Sequence, residues 1–192
     1  MGIILAYGLF SYLVGAIPTG YLISKYVAHV NIQNHGSGNM GATNMTRVLG
    51  KKYGFLTLAI DVSKSYGVVK GAQHFLFLDW AICFSAAALL LGNCYSVFLK
   101  GRGGKGVATT FGIYGALSPF VCFIGVGVYG ILAWMIKLSA AGSLGAAVIF
   151  PVALYMEQQK IMYGVLGFIL SSIVIYRHKK NIHDFMIKAK CI

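Results

Sequence analysis

Three short stretches of this sequence concentrate side chains that could act on an anion. The first runs from His35 to Arg47 as HGSGNMGATNMTR. Its glycines, Gly36, Gly38 and Gly41, allow tight turns and close approach of a ligand to the backbone, and successive N–H groups in such turns form an anion nest. Ser37, Asn39, Thr43, Asn44 and Thr46 supply neutral hydrogen-bonding groups, and Arg47 a planar cationic fork suited to phosphate. The plainer alternative is a surface loop made of turn residues.

The second stretch, Lys100 to Thr110, reads KGRGGKGVATT. Gly103, Gly104 and Gly106 precede an apolar run that reads as a helix, and a helix start attracts phosphate through its free N–H groups and dipole. Lys105 and Arg102 add charge, and Thr109 sits in the first turn. Gly follows Lys105 where a nucleotide-binding P-loop needs Ser or Thr, so the spacing does not imply ATP. A basic loop meeting anionic lipid is the competing account. The third stretch is Tyr176 to Asp184, YRHKKNIHD. His178 could serve as acid, base or donor near neutral pH, and Asn181 follows it at i+3, on the same helical face. Simple basic anchoring would also produce such a tail.

The elements that must hold these stretches are apolar. Of 192 residues, 58% are hydrophobic and 10% charged, against about 25% charged in a soluble domain. A soluble surface could not be covered with so few charges, which points to an all-α integral membrane protein of one domain, residues 1–192. Runs long enough to cross a bilayer, roughly 20 residues, occur at 3–23, 76–99, 120–136, 138–156 and 161–176, with a weaker one at 53–71, where Asp61 and Lys64 intervene. Pro119 divides the long run 107–136, because proline removes a helical donor and clashes with the preceding turn. The result is about seven transmembrane helices. Positive charge in short loops marks the cytoplasmic side. With the N-terminus outside and the C-terminus cytoplasmic, loops 24–52 and 100–106, Lys137 and the tail all fall inside. No cleavable leader is expected at residues 1–23, which lack a basic start.

The net charge of +12 could suit nucleic acid, anionic lipid or a small anion. The charges lie in short stretches between apolar runs, so nucleic acid is not an expected partner. Cys83, Cys94, Cys122 and Cys191 show no metal-ligand or CxxC spacing, and neither a metal nor a disulfide is expected. Asp61 and Lys64, at i, i+3 inside a span, read as a pair facing the bundle interior, structural or functional. Ser139 and Ser143 read as packing residues. His74 and Asp79 match a His-x-x-x-x-Asp pattern in which an Asp can orient a catalytic His, but with five His in the chain a chance match is easy, and the topology sets it on the outer side.

Taken in order, Gly36–Arg47, Gly103–Thr109 and Arg177–Ile182 resemble the three motifs of the bacterial acyl-phosphate-dependent glycerol-3-phosphate acyltransferases, the PlsY family. Asp61-x-x-Lys64 and Leu91-Gly92 match its pattern too, so the resemblance runs nearly end to end. It implies transfer of an acyl chain from an acyl phosphate to the 1-hydroxyl of glycerol 3-phosphate. The products are lysophosphatidate and phosphate, in the first step of phospholipid synthesis. It implies no cofactor and a multi-pass protein of the bacterial inner membrane, active at the cytoplasmic face and in contact with membrane lipid. Ser37, Arg47, Lys105, His178 and Asn181 are then the important polar positions. The glycines of the second motif and Lys105 would hold glycerol 3-phosphate, with Ser143 and Arg177 beside it. Asn93 and Ser96 stand where the family usually has His and Pro, Ser65 replaces a Gly, Ala140 a Ser, and Lys190 a tail Glu. A carrier for a phosphorylated solute and a scaffold without catalysis are the other classes weighed. A carrier should put polar groups near mid-membrane, whereas the motifs here gather on one face.

Overall fold

A computed structural model describes the backbone of residues 1–190 and the side chains of residues 1–187. The Lys190 side chain and Cys191 therefore lie outside the described residues. Among the described residues every regular element is helical. In order they are α1 (Gly2–Ala16), α2 (Thr19–Leu22, continued by a π turn over Ile23–Val27), α3 (Ala42–Leu49), α4 (Lys51–Phe75), α5 (Asp79–Cys94), α6 (Val107–Leu117), α7 (Pro119–Ile136), α8 (Ser139–Gln158), α9 (Ile161–Arg177) and α10 (Lys179–Lys190). The chain forms two compact units, Met1–Pro119 and Phe120–Ile192.

In the first unit α1 packs along α5, and α4 packs against both α3 and α6. The α1–α5 crossing is close because Gly15 meets the Leu89 carbonyl and Gly92 the Tyr12 carbonyl; small residues let membrane helices approach through their backbones. In the second unit α8 packs along α9, with Gly142 against Tyr129 of α7. Small and polar side chains such as Ser11, Thr57, Ser65 and Ser85 are buried, whereas Phe123, Trp134 and Phe168 are exposed. Large apolar side chains on the outside, with polar ones such as these serines and Thr57 inside, suit a lipid surround, where burial of apolar area does not drive helix association.

Among the described residues, Asp79–Leu99, Pro119–Ile136 and Ser139–Gln158 are each long and apolar enough to cross a membrane, and α1 with α2–Val27 and α9 with Lys179–Ile187 bring the count to five if each bent pair is one span. The expected division at Ser118–Pro119 is present, with α6 over Val107–Leu117. The expected continuous helix over 3–23 is not. It stops at Ala16 and resumes at Thr19 with a 40° bend, because Pro18 has no N–H to continue the ladder. The polar stretch 24–52 contains α3, and the basic tail is helical, bent 54° from α9.

Candidate active site

The first motif is a loop braced from within, leading into α3. Gly36 and Gly38 have φ of 60° and 69°, which lets the chain double back between His35 and Asn39. Asn44, buried, ties that turn together. Its Oδ1 accepts the Ser37 N–H at 2.9 Å, and its Nδ2 donates to the carbonyls of His35 at 3.1 Å and Asn39 at 2.9 Å. Asn39 Oδ1 accepts the Gly41 N–H at 2.8 Å. Both amides are thus used to shape the loop. Ser37 and Thr43 are left exposed, as is Arg47 one turn further on, and no acid among the described residues pairs with Arg47. Thr46 packs on Gly54 of α4, which fixes the angle between α3 and α4.

The second motif follows a short 3-10 turn, Val97–Leu99, and ends in α6. The Gly104 N–H donates to the Asn93 carbonyl at 2.9 Å, and Gly103 lies so close to the Asn93 and Cys94 carbonyls that a Cβ has no room. Gly106, at φ 82°, precedes α6 with no side-chain cap, and the first turn of α6 holds no acid. Its leading N–H groups therefore form an uncapped positive end. Lys105 is half-buried there, and Lys100 and Arg102 are exposed with no acid paired to them among the described residues. Thr109, buried in that first turn, has a hydroxyl without a hydrogen-bond partner.

The two loops are neighbours. The Met40 methyl lies 3.6 Å from where a Cβ on Gly104 would stand, and Leu99 packs against the cluster of Ile23, Ile32, Met40 and Met45. Two backbone turns rich in N–H groups, with Arg47 and Lys105 beside them, can hold two anionic groups near each other.

In the second unit Arg177 closes α9, and His178 occupies the joint before α10. His178 is buried, and its Nδ1 lies 2.8 Å from the Val174 carbonyl oxygen. A carbonyl only accepts, so Nδ1 carries the proton, and in the neutral ring Nε2 is an acceptor. The Ile182 N–H donates to the His178 carbonyl at 3.0 Å, which places Asn181 in the same turn. Ser143, buried in α8, donates to the Ser139 carbonyl at 3.0 Å, and the Ser139 hydroxyl meets Tyr129 OH at 2.8 Å. Both serines are bonded within their unit.

Sequence reasoning passed over Asn93 and Ser96 as site-shaping residues. They hold the second motif through their main-chain oxygens, which side-chain type does not reveal. His74 and Asp79 flank the turn between α4 and α5, at the far end of α4 from the first motif; the intervening helix is about 35 Å long.

A family model described as glycerol-3-phosphate acyltransferase matches residues 5–188. A Syntrophotalea carbinolica protein of that name is 42% identical over 177 residues, 92% of this chain and 90% of its own. One from Aquifex aeolicus is 37% identical over 180 residues, 93% of each chain. The crystal structure of PlsY (YgiH), an integral membrane glycerol 3-phosphate acyltransferase in its glycerol 3-phosphate form, matches with a TM-score of 0.91 at 33% identity, over 96% of this chain and 92% of that one. Its lysophosphatidic acid form matches with a TM-score of 0.87 at 32% identity, with the same coverage.

Proposed function

Because the chain belongs to the glycerol-3-phosphate acyltransferase family, we propose that it transfers an acyl group from an acyl phosphate to the 1-hydroxyl of glycerol 3-phosphate. Lysophosphatidate and inorganic phosphate are the products, and the step begins phospholipid synthesis. The observation that carries this is the adjacency of the first two motifs, where the Met40 methyl lies 3.6 Å from the position a Cβ on Gly104 would take, each motif offering N–H groups and a cation where the reaction needs two phosphates held close.

An acyl phosphate is a mixed anhydride whose leaving group is already good, so catalysis requires orientation and charge neutralisation more than a protein nucleophile. The glycerol oxygen attacks the acyl carbon, the new C–O ester bond forms, and the bond from that carbon to the phosphate oxygen breaks. Lys105, Gly103, Gly104, Gly106 and Thr109 hold glycerol 3-phosphate at the start of α6; for Ser143 and Arg177 of the second unit, a part in holding it rests on the family resemblance alone. Ser37, Thr43 and Arg47 take the donor's phosphate on a loop shaped by Gly36, Gly38, Asn39, Gly41 and Asn44. The hydroxyl's proton passes to a phosphate oxygen of the substrate, and the role of His178 and Asn181 in orienting that hydroxyl rests on the family resemblance.

The chain is a multi-pass membrane protein. The crossing elements on this account are α1 with α2, then α4, α5, α6, α7, α8 and α9. That makes seven, with the N-terminus outside and the motifs at the cytoplasmic face of a bacterial inner membrane. α4 is admitted because Asp61 and Lys64 neutralise each other within it at 2.7 Å. Glycerol 3-phosphate titrated into the detergent-purified protein tests the site: Lys105→Ala should weaken binding on the order of tenfold, the size of one charge-assisted hydrogen bond. Unchanged affinity would remove the second motif from the acceptor site.

A further inference from the structure

The break in the first span is gripped from three sides, by α4, by the first motif loop and by the chain that leads into the second. Lys64 has three N–H donors and three oxygen partners: Asp61 Oδ1 at 2.7 Å, the Ile17 carbonyl at 2.9 Å and Thr19 Oγ1 at 3.2 Å. Thr19 donates its own hydroxyl to Asp61 Oδ1 at 2.7 Å. The side chains of Lys64 and Asp61 are only 12% and 10% exposed. A self-contained ion pair on α4 would need neither Ile17, which lies in the break, nor Thr19, which opens α2 after it. The Ala16 carbonyl, also freed by the break, accepts the Ser96 hydroxyl, and Ser96 in turn accepts the Gly101 N–H at 2.8 Å on the way into the second motif. Beyond the break, Gly20 of α2 is in direct contact with the Met40 carbonyl in the middle of the first motif, with the Met45 side chain 3.3 Å away from a Cβ placed there.

We propose that Lys64, oriented by Asp61, is a positioning residue that clamps the Ile17–Thr19 break, and through it sets the first motif loop against the second. The clamp rests on the acyl-transfer reading for its consequence, since correct spacing of the two loops is what lets the hydroxyl reach the acyl carbon. Each loop keeps its own N–H donors and cations when the clamp is lost, so binding of either substrate survives while the reaction step slows.

Three variants in the detergent-purified protein test this. Thr19→Val removes one neutral hydroxyl and leaves the charges. Asp61→Asn with Lys64→Met removes both charges together, so that neither is buried unpaired. The exchange Asp61→Lys with Lys64→Asp keeps an i, i+3 ion pair but sets an acceptor where the donor to Ile17 stood. With rates corrected for folded protein by size exclusion, the double neutral variant should lose about tenfold or more in kcat and Thr19→Val about threefold, a 1 Å misplacement being worth as much as 100-fold. KM for each substrate should stay within about twofold of the parent. The exchange variant should not recover. Hydrogen exchange supplies a readout that does not depend on turnover: residues 36–44 and 100–106 should exchange faster in the double variant while 79–94 are unchanged. Parent turnover in the same assay reads the acyl-transfer account separately. Full activity of the exchange variant, or unchanged kcat with unchanged loop exchange in the folded double variant, would overturn the clamp.

Discussion

The side-chain oxygen of Asn44 sits 2.9 Å from the backbone nitrogen of Ser37, across seven residues of chain. With its amide nitrogen on the carbonyls of His35 and Asn39, this one buried side chain keeps the loop closed. Asn44→Asp keeps the acceptor but replaces both donors by an oxygen facing carbonyl oxygens. The expected outcome is a loss of about 2 kcal/mol of stability, typical of buried polar groups left unsatisfied, with turnover lost alongside. A melting curve in detergent measures the first and product formation the second. A variant of parental stability and rate would show that the loop does not need this brace.

Arg47 is exposed and unpaired by any acid among the described residues, so its guanidinium is available to a phosphate. Arg47→Ala should cost about 3 kcal/mol, on the order of 100-fold in kcat/KM, as two charge-assisted hydrogen bonds are lost. Arg47→Lys keeps the charge without the fork and should lose about tenfold. If Lys and Ala behave alike in steady-state kinetics, geometry rather than charge alone is what the site requires; if neither matters, Arg47 does not bind the donor.

Gly103 has no room for a side chain, its neighbours being the main-chain oxygens of Asn93 and Cys94. Gly103→Ala must push the loop off α5 and should abolish turnover. Gly130, in α7, has nothing within 4 Å of a Cβ, and Gly130→Ala should leave the rate unchanged and raise helix stability slightly, by about 0.5–1 kcal/mol. Comparing both variants in one assay separates loop geometry from a general intolerance of the protein to added methyls.

His178 donates from Nδ1 to the Val174 carbonyl at 2.8 Å. Asn at this position can offer a donor to the same carbonyl but no equivalent of Nε2. His178→Asn should therefore melt near the parent temperature yet turn over on the order of 100-fold more slowly, the usual range for a positioned proton-transfer or hydroxyl-orienting group. A fall in stability with normal turnover per folded molecule would make the histidine an anchor of the α9–α10 joint only.

Much of this molecule was legible because membrane helices announce themselves by apolar length, and because Pro119 marks the end of α6 where the sequence says it should. Pro18 carries the same signal, and a continuous helix over 3–23 ignored it. Pro151, however, lies inside α8 without ending it, so proline alone does not decide. What differs at residue 18 is that oxygens freed by the break find donors on Ser96 and Lys64, partners 80 and 47 residues away in sequence. Such pairings are tertiary facts. Asp61 and Lys64 could be recognised as a pair from their spacing, but their bonds to Thr19 and Ile17 could not. α3 was passed over because its eight residues lie in a stretch judged by polarity. Gly50 after it, at φ 95°, is the stop signal that was available. The side chains of the first two motifs could be picked out in the sequence as polar and cationic groups; that Asn39 and Asn44 serve the loop itself depends on backbone directions that composition does not encode.

The donor is the most direct test of the whole account. Purified protein is given labelled glycerol 3-phosphate with palmitoyl phosphate, and in parallel with palmitoyl-CoA, while lysophosphatidate and inorganic phosphate are counted together. The account predicts lysophosphatidate from palmitoyl phosphate alone, with one phosphate released per ester formed. Product from palmitoyl-CoA alone, or no product from either donor in a folded sample, would contradict it.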